Sequence, residues 1–366
     1  MNSRWLVSAR FDLGLIIGPP LTAVLLVLGV PALQDAETTV WGWVLVVVFI
    51  DVAHVYASLY RTYFDSEEFT RRKNLYVYTP MFVFLGGVAL YSLGALVFWR
   101  VLAYVAVYHF VRQQFGFVMV YRHRGGERGK WDARLDKCTI YSTMLYPLAF
   151  WHSEPSSRTF EWFVKGDFIT LPEWVATAAV GFYTATLLLF FCRQVQVFIT
   201  ERKVNWGKTG VVVSTAAVWY FGIVYLNSDF AFTITNIVAH GVPYMAIVWI
   251  YGHRKWTPEK KSWLSTIHRP MWALAFLGLL MLLAYTEEGL WDVFVWKEHA
   301  AVFGGLNLGR ELPSVALIIL VPLLTVPQAT HYILDAYIWK FDGSNPGLRY
   351  YLFHEGSPPG EDGGIE

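Results

Sequence analysis

The amino-acid sequence predicts an all-α, polytopic transmembrane helical bundle of about ten spans with both termini cytoplasmic. Three observations carry that prediction. Of the 366 residues, 55% are hydrophobic and only 16% charged, against about 25% charged in soluble domains, and the mean hydropathy is +0.39. Aromatic residues reach 17%, with 17 Trp and 21 Tyr, and such amphipathic rings favour the membrane–water interface. Apolar runs near the bilayer length of about 20 residues recur along the whole chain.

The runs fall at 11–31, 41–61, 76–98, 100–121, 138–152, 174–192, 209–226, 229–251, 270–286 and 312–339. The first follows two arginines, as a signal peptide would, but no clean cleavage region ends it, so it reads as a retained span. The third and fourth are separated only around Arg100, which asks for a tight corner there. The fifth is short. The tenth is long and contains Pro322 and Pro327, which suggests a kink. Residues 155–172 and 289–308 mix aromatics, acids and glycine and read as interfacial helices or caps. The bundle therefore occupies 1–341. Residues 342–366 form a cytoplasmic tail, ending in GSPPGEDGGIE, a polar stretch expected to be partly disordered.

Charge supports the same division. Arg61, Arg71, Arg72 and Lys73 share one loop. Arg122, Arg124, Arg128, Lys130, Arg134 and Lys137 lie in the next but one. Arg193, Arg202, Lys203 and Lys208 follow, then Arg254, Lys255, Lys260, Lys261 and Arg269. The intervening loops are acidic or poor in positive charge, with Asp35 and Glu37, then Glu154, Glu161 and Asp167, then Asp229, then Glu287, Glu288 and Asp292. Every second loop is basic, so the positive-inside rule puts both termini in the cytoplasm of what is expected to be a bacterial inner membrane. No basic block suggests nucleic acid. Cys138 and Cys192 exclude a disulfide framework and are expected as free thiols.

Ionisable groups within spans are costly and mark functional sites by default. Asp51 and His54 are three apart in DVAHVYASLYR and share a helix face, which Ser58 and Arg61 continue. In YHFVRQQFGF, His109, Arg112, Gln113 and Gly116 form one stripe. In TNIVAHGVPY, Asn236 and His240 are four apart. In QATHYILDAYIW, Gln328, His331, Tyr332 and Asp335 form another stripe. Under the ten-span topology these four helices run in one direction. Their histidines then lie roughly 10–18 Å from the inner end, at 1.5 Å per residue. Four histidines in one layer point to a metal ion, because imidazole suits iron, zinc and copper. The expected ligands are Asp51, His54, His109, His240, His331 and Asp335, around one or two iron ions, with zinc or haem as alternatives. Gln113, Asn236 and Gln328 are expected to support the bound group, and Arg112 and Tyr332 to position substrate or donate a proton.

Other readings of single residues are structural. A lone intramembrane histidine is often a helix–helix hydrogen-bond partner. Arg61 is expected to snorkel to lipid phosphates. His123, His253 and His268 sit in basic loops, where a solvated role is expected, and His152 and His299 lie on the outer side. The chain lacks a G-x-x-x-x-G-K-[ST] phosphate loop, an H-E-x-x-H zincin motif, the histidine boxes of membrane desaturases and the aspartate-rich box of prenyltransferases.

A many-span chain with intramembrane His54, His109, His240 and His331 resembles the bacterial Brp/Blh family of membrane β-carotene dioxygenases. That resemblance implies non-haem iron held by histidines and oxidation of a lipophilic substrate. No helix here bears two histidines four apart, so the family's substrate is not carried over. The expectation is a membrane-embedded, metal-dependent oxidoreductase acting on a lipid or isoprenoid, served by an electron donor. Two alternatives stand beside it. One is a proton-coupled transporter built on the buried Asp, His and Arg residues. The other is a haem-binding electron-transfer protein, with two of the histidines as axial ligands.

Overall fold

The computed structural model describes residues 5–34, 37–154, 160–260, 262–304 and 312–355. Among these it is all-helical, with no strand. Ten long helices follow in order: α1 Ala9–Gly29, α2 Val40–Arg61, α3 Lys73–Leu93, α4 Ala95–Arg124, α5 Lys130–Ser153, α6 Glu173–Glu201, α7 Trp206–Tyr225, α8 Asp229–Lys255, α9 Pro270–Trp296 and α10 Ser314–Ile338. All but α5 are long and apolar enough to cross a membrane. The expected fifth span, 138–152, is the second half of α5, whose first two turns carry Lys130, Asp132, Arg134, Asp136 and Lys137.

Local sequence sets the boundaries. Ser8 caps α1 by accepting from Phe11 N at 3.1 Å, and Asn205 caps α7 by accepting from Lys208 N at 3.1 Å. Pro172 and Pro313, in extended backbone, precede α6 and α10. The corner between α3 and α4 is at Gly94, with φ +144°, a conformation only glycine adopts cheaply. Arg100, where the corner was expected, lies inside α4. α10 stays helical through both Pro322 and Pro327.

The chain divides into two compact units, one of residues 1–39 and 106–243 and one of residues 40–105 and 244–366. In the first, α5 packs along α6, and α7 packs against α1 and α5. Ser142 and Thr186 share a 2.6 Å hydroxyl hydrogen bond across α5 and α6. Arg122 and Lys208 both bond the buried Asp136, Lys208 Nζ at 3.0 Å, and Lys208 also meets Glu127 at 2.6 Å. These cations, expected as loop charges, are buried because each has a carboxylate partner.

In the second unit, α2 packs against α9 and α10, and α3 against α10. α3 and α10 approach so closely at Gly87 that a Cβ there would sit 2.9 Å from Pro322 Cβ. The core gathers Val48, Ala57, Tyr60, Tyr244, Val248, Phe276 and Leu280. Arg61 does not snorkel outward. It is 1% exposed, lies 3.5 Å from Glu68 and stacks over the Tyr251 ring at 4.5 Å. Burial alone would raise the Glu68 carboxyl, but Arg61, Arg71 and Tyr76 outweigh it and hold the group below the usual carboxylate value. The start of the expected tail is ordered by arginines. Arg71 donates to Ser344 O at 2.7 Å, and Arg254 to Leu352 O at 2.6 Å. Helix 348–353 buries Leu348, Tyr351, Leu352 and Phe353. The stretch GSPPGEDGGIE, 356–366, lies outside the described residues.

Candidate metal centre

His54 of α2, His109 of α4, His240 of α8 and His331 of α10 are 1–6% exposed. One ligand atom from each lies within 4.8 Å of the others, so the four make up a group that could hold a metal ion. Nitrogens about 2.1 Å from one ion would be about 3.4 Å apart in a tetrahedron and about 4.2 Å apart across an octahedron. Two imidazole pairs have nearly the same form. The His54 and His331 rings stand perpendicular at 5.0 Å, 78°, and the His109 and His240 rings at 4.9 Å, 80°.

Each pair is packed from its own side. Phe110 stacks flat on His240 at 3.7 Å and 11°. Gln113 Nε2 donates to His240 O at 2.8 Å, and Gln114 Nε2 to Ala239 O at 3.1 Å, so α4 grips the α8 backbone where its histidine emerges. The α2 backbone is π-helical over Val44–Val52 and returns to α-helix at Ala53. Such wide turns concentrate at functional sites. Here one delivers Asp51 Oδ1 to 3.6 Å from His54 Nδ1. On α10, Asp335 Oδ1 lies 3.7 Å from His331 Nδ1. Both contacts are longer than a hydrogen bond, and in both the carboxylate faces the Nδ1 edge of the ring.

The remaining expected site residues are distributed as follows. Tyr332 is buried beside His331, with ring centroids 5.9 Å apart, and Gln328 lies one turn back on the same helix. Asn236 Nδ2 donates to Phe232 O at 3.1 Å, within its own helix. Arg112 is exposed. It donates to Tyr141 OH at 2.8 Å and lies over the Phe115 ring at 5.0 Å.

Sequence reasoning missed Tyr244 at this site, and a second phenol–carboxylate pair in the same unit. Tyr244 OH donates to Asp335 Oδ1 at 2.6 Å. It continues the four-residue step of Asn236 and His240, a signal already present in TNIVAHGVPY. Tyr56 OH donates to Glu287 Oε2 at 2.5 Å. Glu287 and Glu288 were assigned to an outer loop, but α9 extends ten residues beyond the expected end of its span and carries both inside the helix.

The described residues are thus all-helical, with nine helices long and apolar enough to cross a membrane and four buried histidines that could hold a metal ion. Compared with known protein families, curated proteins and solved structures, the chain matches none. The carotenoid-dioxygenase resemblance therefore rests on the sequence pattern alone.

Proposed function

We propose that the chain is a membrane-embedded, metal-dependent oxidoreductase that holds iron through His54, His109, His240 and His331 and acts on a lipid or isoprenoid. The observation that carries this reading is the grouping of four buried imidazoles at ligand spacing within apolar helices. A histidine kept only for helix packing needs one partner, not three other imidazoles. Four neutral ligands leave the charge of a divalent ion uncompensated in a medium where charge is costly. Asp51 and Asp335, at the outer edges of two of the rings, would compensate it. Four nitrogens close a tetrahedral zinc site, whereas iron favours six positions and would keep two open. Bound iron would supply dioxygen activation. The chain would contribute buried, oriented imidazoles and, at Tyr332, a phenol beside His331. Arg112, placed with Tyr141 at an exposed position, suits an acidic head group of the substrate. The electron donor would be a separate partner.

The test is elemental analysis and an optical spectrum of protein purified in mild detergent and supplied with ferrous iron. The expected result is one or two equivalents of iron without a Soret band, lost in a His109→Ala/His331→Ala variant. A Soret band would move the reading to a haem protein.

One observation favours proton-coupled transport as a second reading. Asp51 of α2 and Glu287 and Glu288 of α9 are acids inside two helices that pack together in the second unit, and Tyr56 OH donates to Glu287 Oε2 at 2.5 Å. A folded protein that takes up no metal, yet moves solute in liposomes under a pH gradient, would put this reading first.

A further inference from the structure

Asp335 accepts a short hydrogen bond. Its Oδ1 accepts the Tyr244 hydroxyl at 2.6 Å, and the same oxygen lies 3.7 Å from His331 Nδ1. Tyr244 is 4% exposed, so this hydroxyl cannot trade its carboxylate for bulk water. The Tyr244 ring also meets two imidazoles edge-on, His331 at 5.0 Å and 88° and His54 at 5.6 Å and 77°. One phenol therefore touches both histidines of this pair and holds the carboxylate that faces one of them.

The consequence is geometric. A carboxylate free to rotate about its own side chain would not fix the imidazole next to it. A carboxylate tied through Oδ1 to a buried phenol presents that oxygen in one direction. An imidazole facing it with Nδ1 turns Nε2, the other possible ligand atom, to the far edge of the ring. Which nitrogen binds a metal is set by what the other nitrogen meets. His54 has its own carboxylate, Asp51, on the Nδ1 edge at 3.6 Å, but only ring contact from Tyr244.

We propose that Tyr244 is a positioning residue of the histidine group: through Asp335 it holds His331 in the orientation that offers Nε2 to a metal ion, and with its ring it spaces His331 from His54. This rests on the metal-binding reading above. Tyr244 touches neither the ion nor the substrate.

The experiment uses the full chain in detergent, stripped of metal and titrated with Co²⁺ as a spectroscopic probe. Wild type, Tyr244→Phe, Asp335→Asn, the double variant and His331→Ala are compared. Tyr244→Phe keeps the ring and removes only the hydroxyl. Its Co²⁺ affinity is expected to fall by about ten- to a hundredfold, as for other partners of ligating histidines, with a shifted ligand-field spectrum and a nearly unchanged unfolding midpoint. Asp335→Asn gives a similar loss, and the double variant loses no more than the larger single effect, because both act through one chain. Wild-type affinity and spectrum in Tyr244→Phe, with binding abolished in His331→Ala, would overturn the proposal and leave the metal site standing. So would additive losses in the double variant. A wild-type chain that takes up no Co²⁺ overturns the metal reading and this proposal together. Should Tyr244→Phe fail to fold, Asp335→Asn carries the same readout alone.

Discussion

Single residues show how far burial changes what a side chain does. His268 stands in a basic loop and reads as a solvated histidine, yet it is 1% exposed. Its Nδ1 lies 2.9 Å from Leu264 O, and its ring packs among Tyr60, Trp256 and Phe276. Burial pushes its pKa down, from 6.5 to about 4. The unfolded chain therefore binds this proton more readily than the folded one. The stability contributed by neutral His268 is intact above pH 6.5 and is lost as pH falls from 6.5 towards 4. The full loss is roughly 3 kcal/mol. Unfolding midpoints in detergent between pH 7 and pH 4 should drop more steeply for wild type than for His268→Gln, and parallel curves would refute this. The sequence contains the histidine but not the aromatic neighbours, which come from α2, α9 and the loop after α8. Arg61 was misjudged for the same reason. Its partners Glu68 and Tyr251 lie on separate elements. The four histidines were legible because an ionisable group inside an apolar run is visible without any knowledge of its neighbours.

At the scale of elements, α5 tests what makes a helix fit for a membrane. Its first two turns carry five charges, and hydropathy alone rejects it. Two of these charges have partners that resolve the conflict. Asp132 pairs with Arg193 of α6 at 2.7 Å, and Asp136 is shared by Arg122 of α4 and Lys208 of α7. Neutralising a carboxylate at 1% exposure that two cations share leaves Glu127 alone, 2.6 Å from Lys208 and 3.6 Å from Arg122, to balance both buried cations. Asp136→Asn should therefore lower stability by about 3–5 kcal/mol, the usual cost of stranding buried charge. Adding Lys208→Met should restore part of it by removing one stranded cation. Denaturant unfolding of the two variants checks both signs. An Asp136→Asn protein as stable as wild type would mean that water reaches this network. The element boundaries also show where periodicity runs out. The end of α9 was placed before Glu287 because two adjacent acids look like a loop. The helix continues because Tyr56 OH bonds Glu287 across to α2.

At the scale of the whole chain, α5 decides the topology. If all ten helices cross, α2, α4, α8 and α10 run in one direction, and the four histidines share one depth by counting residues alone. If α5 does not cross, the first two of those helices oppose the last two. α5 has 24 residues and is therefore about 36 Å long, enough for the hydrocarbon core, and it packs along the membrane-length α6. Its charges lie at the end that carries Arg122 and Glu127, within the basic stretch 122–137. We expect it to cross. Single cysteines at exposed positions, Arg128→Cys, Thr257→Cys and Glu161→Cys in a Cys138→Ser/Cys192→Ser background, report this through labelling by an impermeant thiol reagent in sealed vesicles. Four helices, α5 to α8, separate Arg128 from Thr257, so both should label from the same side and Glu161 from the other. That side should be cytoplasmic, because both loops are basic. Labelling of Arg128→Cys and Thr257→Cys from opposite faces would remove α5 from the count of spans. The common depth of the histidines would then owe nothing to parallel helices, and their grouping would be a property of tertiary packing alone.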